Sequence, residues 1–373
     1  MLGVGSYDKQ GGTNTFVRGL SKRLSEKGIY TLVVSHKLKG EDFKRREINK
    51  NLFVEYFPAF PRKRYFLPLY VLRFFLMAVY LAYYVSKHKI DVILTGETEA
   101  LPFFICKLFG ARVIIRGGNP FPSVTKIEFG RKKRRLNSVV YKLIDVYERI
   151  ILYLADDIVI LSGWEKEILK EYTNKNFKMI RYAVDEEKFK PDKSKKIYDL
   201  VYIGRISYSK NIDKLIGIFD GAREKVKVKL FLVGQLEDYQ DIKEFTKKSK
   251  YEKDIIYLGE KKADEIPGIL KKSKVFVHAA YDLGNAPLEA ASCGLPVVVL
   301  GEKFDEDYVL KSKDEKEFSL KIANLIKNRE EYLRISKKNR EIVMGEHSWK
   351  SVSNQYEKLF NEESVYKLDK TYL

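Results

Sequence analysis

A chain of 373 residues, 45% of them hydrophobic, is too long for one small core and too apolar for a disordered protein, so two globular domains are expected. Its formal charge of +19 is concentrated at one end: residues 1–150 hold 28 Lys and Arg against 12 Asp and Glu, a balance of +16 that leaves +3 for the rest. The two distant cysteines, Cys106 and Cys293, have neither disulfide nor metal spacing, which excludes a disulfide scaffold and points to a reducing compartment.

Met1 to Gly5 run straight into a glycine loop, so no signal peptide is expected. The segment LGVGSYDKQGGTNTFVRGLSKRLSEKGIYTLVVS reads as a short strand, a loop, an amphipathic helix and a second strand at 30–35, a βαβ unit. Gly11 and Gly12 sit in its turn, where bare backbone lets a phosphate or sugar approach closely; an ordinary loop is the alternative. Residues 52–57 form another strand. Residues 66–85 are a hydrophobic stretch broken only by Pro68 and Arg73, with Arg62, Lys63 and Arg64 before it and Lys87, His88 and Lys89 after it. Its length fits a bilayer span, and its basic flanks fit a span or a helix lying in the interface. The strand DVILTG follows at once, which puts the stretch in the place of a crossover helix of a parallel sheet.

After a strand at 112–115 comes a long basic loop, RGGNPFPSVTKIEFGRKKRR, carrying Arg116, Asn119 and the run Arg131, Lys132, Lys133, Arg134 and Arg135. Long loops at the carboxyl ends of parallel strands usually line sites, and the run reads either as a solvated face or as a phosphate-binding patch. The helix over 138–154 has Val139, Val140, Leu143, Val146, Tyr147 and Ile150 on one side, the side expected to pack on the sheet. ADDIVILSGWEKEILKEY is strand, capped turn and helix. The polar, Pro191-containing segment 186–196 is the expected boundary, giving domains 1–190 and 191–345.

Beyond it βα units resume. YDLVYIGRISYSKNIDKLIGIF ends a strand at Gly204 and Arg205 and starts a helix after Lys210, while KLFLVG, IIYLGE and KVFVHA are further short apolar strands, as in a buried parallel sheet. VFVHAAYDLGNAPLEAASCGLPVVVL reads as strand, loop, short helix, strand. Asn285 is the expected N-cap, Pro287 fits a first turn, and Gly294 with Pro296 stops the helix. Glu289 falls in that helix, where a carboxylate can accept from two neighbouring ribose hydroxyls; a capped helix with an exposed Glu is the plain alternative. Arg205 and Lys210 at the same strand edge suit a diphosphate without a metal. The chain closes with HSWKSVSNQYEKLF, a helix capped by Ser348.

Taken in order, these segments resemble the retaining family 4 of the GT-B glycosyltransferases over nearly the whole chain. Gly11-Gly12 is similar to the family's first glycine loop, ADDIVILSGWEKEIL to "ADxVIxxS", YAVDEEKFKP to "NGVDxxxFxP", and GRISYSKN to "GRxxxxKG". KLFLVG and IIYLGE resemble "LxIVG" and "FLG", LEAASCGLPVV resembles "LEAMAxGxPVV", and HSWKSV resembles the terminal helix that returns to the first domain. The resemblance implies an α/β fold of two doubly wound Rossmann-like domains facing a cleft, with 346–373 packing back on the first. It implies a hexosyl transfer from a UDP- or GDP-sugar, without metal or other cofactor, to a lipid-linked or glycan acceptor. Donor binding then falls to Gly11, Gly12, Gly204, Arg205, Lys210, Gly259, Tyr281, Gly284, Asn285 and Glu289, and catalysis to Arg205, Lys210 and Asp282. Arg116, Asn119 and residues 131–135 lie on the acceptor or membrane side.

Two positions depart from the pattern. The first acid of the family's Glu-x7-Glu is Tyr281, with Asp282 one place along, so Asp282 is expected to take over part of that role. Where many members have a His, this chain reads Arg116, Gly117, Gly118, Asn119. Other readings are a sugar-nucleotide epimerase, a phosphorylase, a metal-dependent transferase through Asp305 and Asp307, and a basic membrane- or nucleic-acid-binding protein. The aromatics fall in apolar helices and strands rather than among basic residues, which disfavours RNA. The expected partner of the basic half is an anionic membrane surface, with the enzyme peripheral at the cytoplasmic face.

Overall fold

The computed structural model describes residues 2–3, 7–8, 12–36, 45–57, 67–96, 100–117, 138–237 and 241–362. The chain divides into two units, Met1–Arg181 with Val352–Leu373, and Tyr182–Ser351.

In the first unit β1 (Leu2–Gly3), α1 (Gly12–Glu26), β2 (Thr31–His36), β3 (Arg45–Asn49) and β4 (Leu52–Phe57) precede α2 (Leu67–His88) and β5 (Val92–Gly96). A 3-10 helix (Leu101–Phe109), β6 (Arg112–Arg116), α3 (Ser138–Leu154), β7 (Asp157–Ile160), α4 (Gly163–Leu169) and β8 (Phe177–Met179) follow. The sheet runs β3-β4-β2-β1-β5-β6-β7-β8, and only the edge pair β3–β4 is antiparallel. A parallel step from β4 to β5 needs a crossover, and α2 supplies it: Met77, Leu81 and Val85 are buried with Phe103 and Cys106 of the 3-10 helix over Leu32, Val34, Ile93 and Val113. Among the described residues no helix is long and apolar enough to cross a membrane.

Of the face of α3 expected to meet the sheet, Tyr147 packs partly buried on the core, the side chains of Val139 and Val140 lie outside the described residues, and the other three turn outward. Leu143, Val146 and Ile150 are 64%, 52% and 44% exposed, while Ile151 and Leu152 pack on Ile115, Ile158 and Ile160. The helix is apolar round most of its circumference, so periodicity offers two stripes. The tight turn into β7, where Asp156 N–H donates to the Val113 carbonyl at 2.8 Å, settles which one meets the sheet.

The second unit contains β9 (Tyr198–Ile203), α5 (Ile212–Arg223), β10 (Leu230–Val233), α6 (Lys243–Thr246), β11 (Ile255–Tyr257), α7 (Ile266–Lys271) and β12 (Ser273–His278). Then come α8 (Ala286–Ser292), β13 (Val297–Leu300), β14 (Leu310–Ser312), α9 (Glu315–Lys327) and α10 (Arg329–Ile342). All strands are parallel, in the order β11-β10-β9-β12-β13-β14, which is the doubly wound order with its switch point between β9 and β12. Alternate residues of each strand serve opposite faces: Leu200, Tyr202, Val275 and Val277 enter one core, and Val201, Phe276, Val297 and Val299 the other.

The division after Arg181 precedes the sequence-based break at 190/191. Val184 and Phe189 are buried in the second unit's core, and Arg340 donates to the carbonyls of Glu186 (3.0 Å) and Phe189 (3.3 Å), so this polar segment is stitched down rather than a free linker. The last helix, α11 (Trp349–Asn361), starts in the second unit, with Ser348 Oγ accepting from Ser351 N–H at 3.1 Å. From Val352 on it belongs to the first. There Tyr356 meets Phe16 of α1 at 5.6 Å between rings, and Arg112 donates to the carbonyls of Leu359 (2.9 Å) and Glu362 (2.8 Å), closing the helix end with a cation.

Candidate active site

The carboxyl ends of β9 and β12 meet at the switch point of the second sheet, and the polar side chains singled out in the sequence gather there. Three strand ends are zipped together by backbone: Gly204 N–H donates to the Val233 carbonyl (2.9 Å) and Gly234 N–H to the Gly259 carbonyl (3.0 Å). Gly234 has φ +141°, and a Cβ on it would lie 1.9 Å from the Gly204 oxygen, so only glycine fits. Gly259, at φ +75°, has open space where a side chain would stand.

Arg205 leaves this edge with its guanidinium 3.2 Å from Glu237 and its side chain half exposed. The chain then turns through a 3-10 segment, Tyr208–Lys210, into Asn211 at φ +54°. The Asn211 amide donates to the Ala279 carbonyl at 2.7 Å, which fastens the turn to the end of β12 and aims Lys210 across the switch point. Lys210 Nζ contacts both carboxylate oxygens of Asp282, at 2.7 and 2.8 Å. Burial alone would raise the Asp282 carboxyl, but the Lys210 charge and its hydrogen bonds outweigh that and hold it below the usual range. Tyr202 ties the pieces together: its hydroxyl donates to the Arg205 carbonyl at 3.0 Å, and it lies within the fields of Asp282, Arg205 and Glu237.

His278 anchors the loop from below. One ring nitrogen, Nε2, is 2.6 Å from the Asp282 carbonyl, so it is the protonated one; Nδ1 is buried with no partner among the described residues. Burial pushes the imidazole down to about 4, leaving it neutral at physiological pH. Gly284 at φ +62° turns the loop into α8. Asn285 does not cap that helix with its side chain, contrary to expectation, because its backbone is already helical at φ −89°, ψ −30°. Glu289 is half-buried in α8. Among the described residues no hydrogen bond or ion pair reaches its carboxyl, and burial raises it to about 7, with Lys188 pulling the other way.

Tyr281 is 43% exposed, and Lys303 Nζ stands 5.1 Å from its ring centre. Beside it opens a cavity of about 430 Å³ bounded by Asn211, Lys214, Lys303, Lys313 and Asp314. Among the described residues no group of three His, Cys, Asp or Glu is placed to hold a metal ion.

The structure thus brings together Gly204, Arg205, Lys210, Tyr281, Asp282, Gly284, Asn285 and Glu289 within one unit, with Gly259 at the neighbouring strand end. Gly12 and Arg116 belong to the other: Gly12 opens α1, and the Arg116 guanidinium lies over the Phe16 ring at 3.8 Å. Gly11, Asn119 and residues 131–135 lie outside the described residues. Sequence reading missed Tyr202, Asn211, Gly234, Glu237 and His278. The asparagine after GRISYSK was the one available hint, since Asn tolerates the left-handed conformation a tight turn demands.

A doubly wound sheet with Arg205 and Lys210 at its switch point and Glu289 in the helix after β12 has the form of a nucleotide-binding site. The family model described as "Glycosyl transferases group 1" matches residues 183–342, and that of "Glycosyltransferase Family 4" matches residues 10–188. The chain belongs to these GT-B fold, family 4 glycosyltransferases. It is 24% identical over 385 residues to an uncharacterised glycosyltransferase of Methanocaldococcus jannaschii, covering 94% of each chain. It is 28% identical over 141 residues to the phosphatidylinositol N-acetylglucosaminyltransferase gpi3 subunit of Schizosaccharomyces pombe, covering 36% of this chain and 31% of that one, so it spans less than a third of that relative. Among solved structures it resembles sucrose-phosphate synthase of Thermosynechococcus elongatus (TM-score 0.76, 17% identity, 96% of this chain and 98% of that one). The Anabaena protein HepE in complex with UDP is also similar (TM-score 0.71, 15% identity, 96% and 98%).

Proposed function

We propose that this glycosyltransferase moves a hexosyl group from a UDP- or GDP-sugar to a lipid-linked or glycan acceptor, retaining the anomeric configuration and using no metal. The observation that carries the reading is that Arg205 and Lys210, with their partners Glu237 and Asp282, meet round Tyr202 at the switch point while Glu289 lies in the helix that follows β12; the UDP in the HepE structure supports it. Glu289 accepts hydrogen bonds from the ribose hydroxyls. Arg205 and Lys210 leave their carboxylate partners for the diphosphate and neutralise the charge that grows on it as the glycosidic bond breaks. The cavity beside Tyr281 is of a size to admit a sugar ring.

Retention is what membership of the retaining family implies: the acceptor hydroxyl enters on the face the diphosphate leaves, and among the described residues no carboxylate is assigned as a covalent nucleophile. The acceptor is presented at the cytoplasmic face of a membrane, a reading supported by the +16 balance of the first 150 residues. A thermal-shift screen against UDP, GDP and their sugars tests the donor, because a ligand that binds only the folded state raises Tm. NMR of the product anomer tests retention. No shift with any nucleotide, or an inverted product, would overturn the corresponding part.

A further inference from the structure

The layer of helices on one face of the first sheet has a second apolar side, turned outward. On α2, Phe75, Leu76, Val79 and Tyr83 are 65%, 42%, 54% and 56% exposed, at spacings that put them on one stripe opposite buried Met77, Leu81 and Val85. The 3-10 helix beside it exposes Ile105, Leu108 and Phe109, with Leu108 at 79%. On α3, Leu143, Val146, Ile150 and Tyr153 recur three or four residues apart, with Tyr153 at 76%. The three elements are neighbours. Phe104 packs against the cores beneath both α2 and α3, and Lys107 of the 3-10 helix reaches the Leu154 carbonyl at 3.0 Å. Three adjoining apolar stripes make a patch that a protein surface does not leave bare without reason.

We infer that this outer face of α2, the 3-10 helix and α3 inserts shallowly into the headgroup region of an anionic bilayer. The inference deepens the membrane-side reading of the acceptor and rests on it. The charges around the patch select the occupant. Residues 67–88 and 101–109 contain no Asp or Glu, and α3 contains only Asp145, paired with Arg149 at 3.1 Å, and Glu148, which is fully buried. Lys87, Lys89 and Lys142 are exposed along the borders. At one rim Lys87 Nζ stands 5.4 Å from the Tyr83 ring. A lysine whose ammonium stands at the edge of an apolar surface, beside a tyrosine, matches the depth profile of a lipid interface. A second copy of the chain would instead set the same cations against one another.

The test uses the full chain. Trp replaces Leu108 as a reporter, and Leu320 of α9, 48% exposed in the second unit, in a control. Each protein is mixed with vesicles of phosphatidylcholine with or without phosphatidylglycerol, some bearing brominated acyl chains that quench tryptophan. The expected result is quenching of L108W but not of L320W, only with phosphatidylglycerol present. A triple variant, Leu108→Ser, Phe109→Ser and Val146→Ser, should lose at least about tenfold in floated protein. Its thermal shift with a nucleotide sugar should persist, which keeps this inference separable from the donor reading. Unquenched L108W, or sedimentation showing a lipid-free dimer abolished by the triple variant, would overturn the inference, the latter in favour of a second copy.

Discussion

Glu289 titrates where binding can be followed. Its carboxyl rises from 4.5 to about 7 because it is half-buried without a partner among the described residues. The folded state therefore binds more protons than the unfolded one between those values, and stability should fall as pH rises from about 4.5 to about 7. A shift of that size corresponds to at most about 3.5 kcal/mol, less whatever solvent screens away. A ribose that donates both hydroxyls to the carboxylate selects the ionised form, so donor binding should expel a proton and tighten as pH rises, levelling off above about 7. If the bound carboxyl returns to its ordinary value, the gain from pH 4.5 to 7 is at most about 300-fold. Titration calorimetry of a nucleotide sugar in buffers of different ionisation enthalpy reads both affinity and proton release. A nucleotide sugar is preferable to free UDP, whose terminal phosphate itself titrates in this range. Glu289→Gln should flatten the pH dependence, and at pH 8 it should be more stable than the parent while binding donor less well. An identical pH profile in parent and Glu289→Gln, or affinity that falls as pH rises, would remove the carboxylate from the nucleotide site.

Three further outcomes follow from the same geometry. Arg205→Ala and Lys210→Ala should each lower kcat more than they raise the donor Kd, since the charge they meet grows in the transition state; activity abolished by EDTA and rescued by Mn²⁺ would contradict this. Asp282→Asn loses the charge that holds Lys210 and should reduce turnover more than Tyr281→Phe, because the tyrosine ring is retained in that change; the reverse order would return the missing acid's role to Tyr281. Gly234→Ala should destabilise the second unit by about 2 kcal/mol or more in chemical denaturation, since its Cβ meets the Gly204 backbone rather than a movable side chain.

The second unit was the more legible half because its strands are short, continuous apolar runs punctuated by glycines, and parallel pairing leaves few other readings of such a pattern. Arg205 and Lys210 could be placed because they lie in the short turn between β9 and the next helix, and Glu289 because Pro287 and Gly294 bracket its helix. Their partners could not. Glu237 follows β10 and Asp282 follows β12, and only the sheet order makes them neighbours of cations more than thirty residues away in the chain. The short edge strand β3 alternates no apolar residues, so it carried no periodic signal. Nor did the 3-10 helix, whose apolar run LPFFICKLF does not separate a helix from a strand. For α3 the expected face was right at Tyr147 and wrong at Leu143, Val146 and Ile150, and those three are among the residues offered above to the bilayer.

The Lys210–Asp282 pair bears on what the empty enzyme ignores. A lone ammonium at a strand edge would collect inorganic phosphate, citrate or any other small anion at the concentrations a cell contains. Clasped by both oxygens of a carboxylate, it offers such ions little, since each would have to expel Asp282 with only a single point of attachment in return. On the proposed reading, a nucleoside diphosphate sugar would bring a ribose for Glu289 and a second phosphate for Arg205, contacts that offset the loss of Asp282 from Lys210. On that reading the salt bridge that holds the resting loop would also favour whole donors over their fragments.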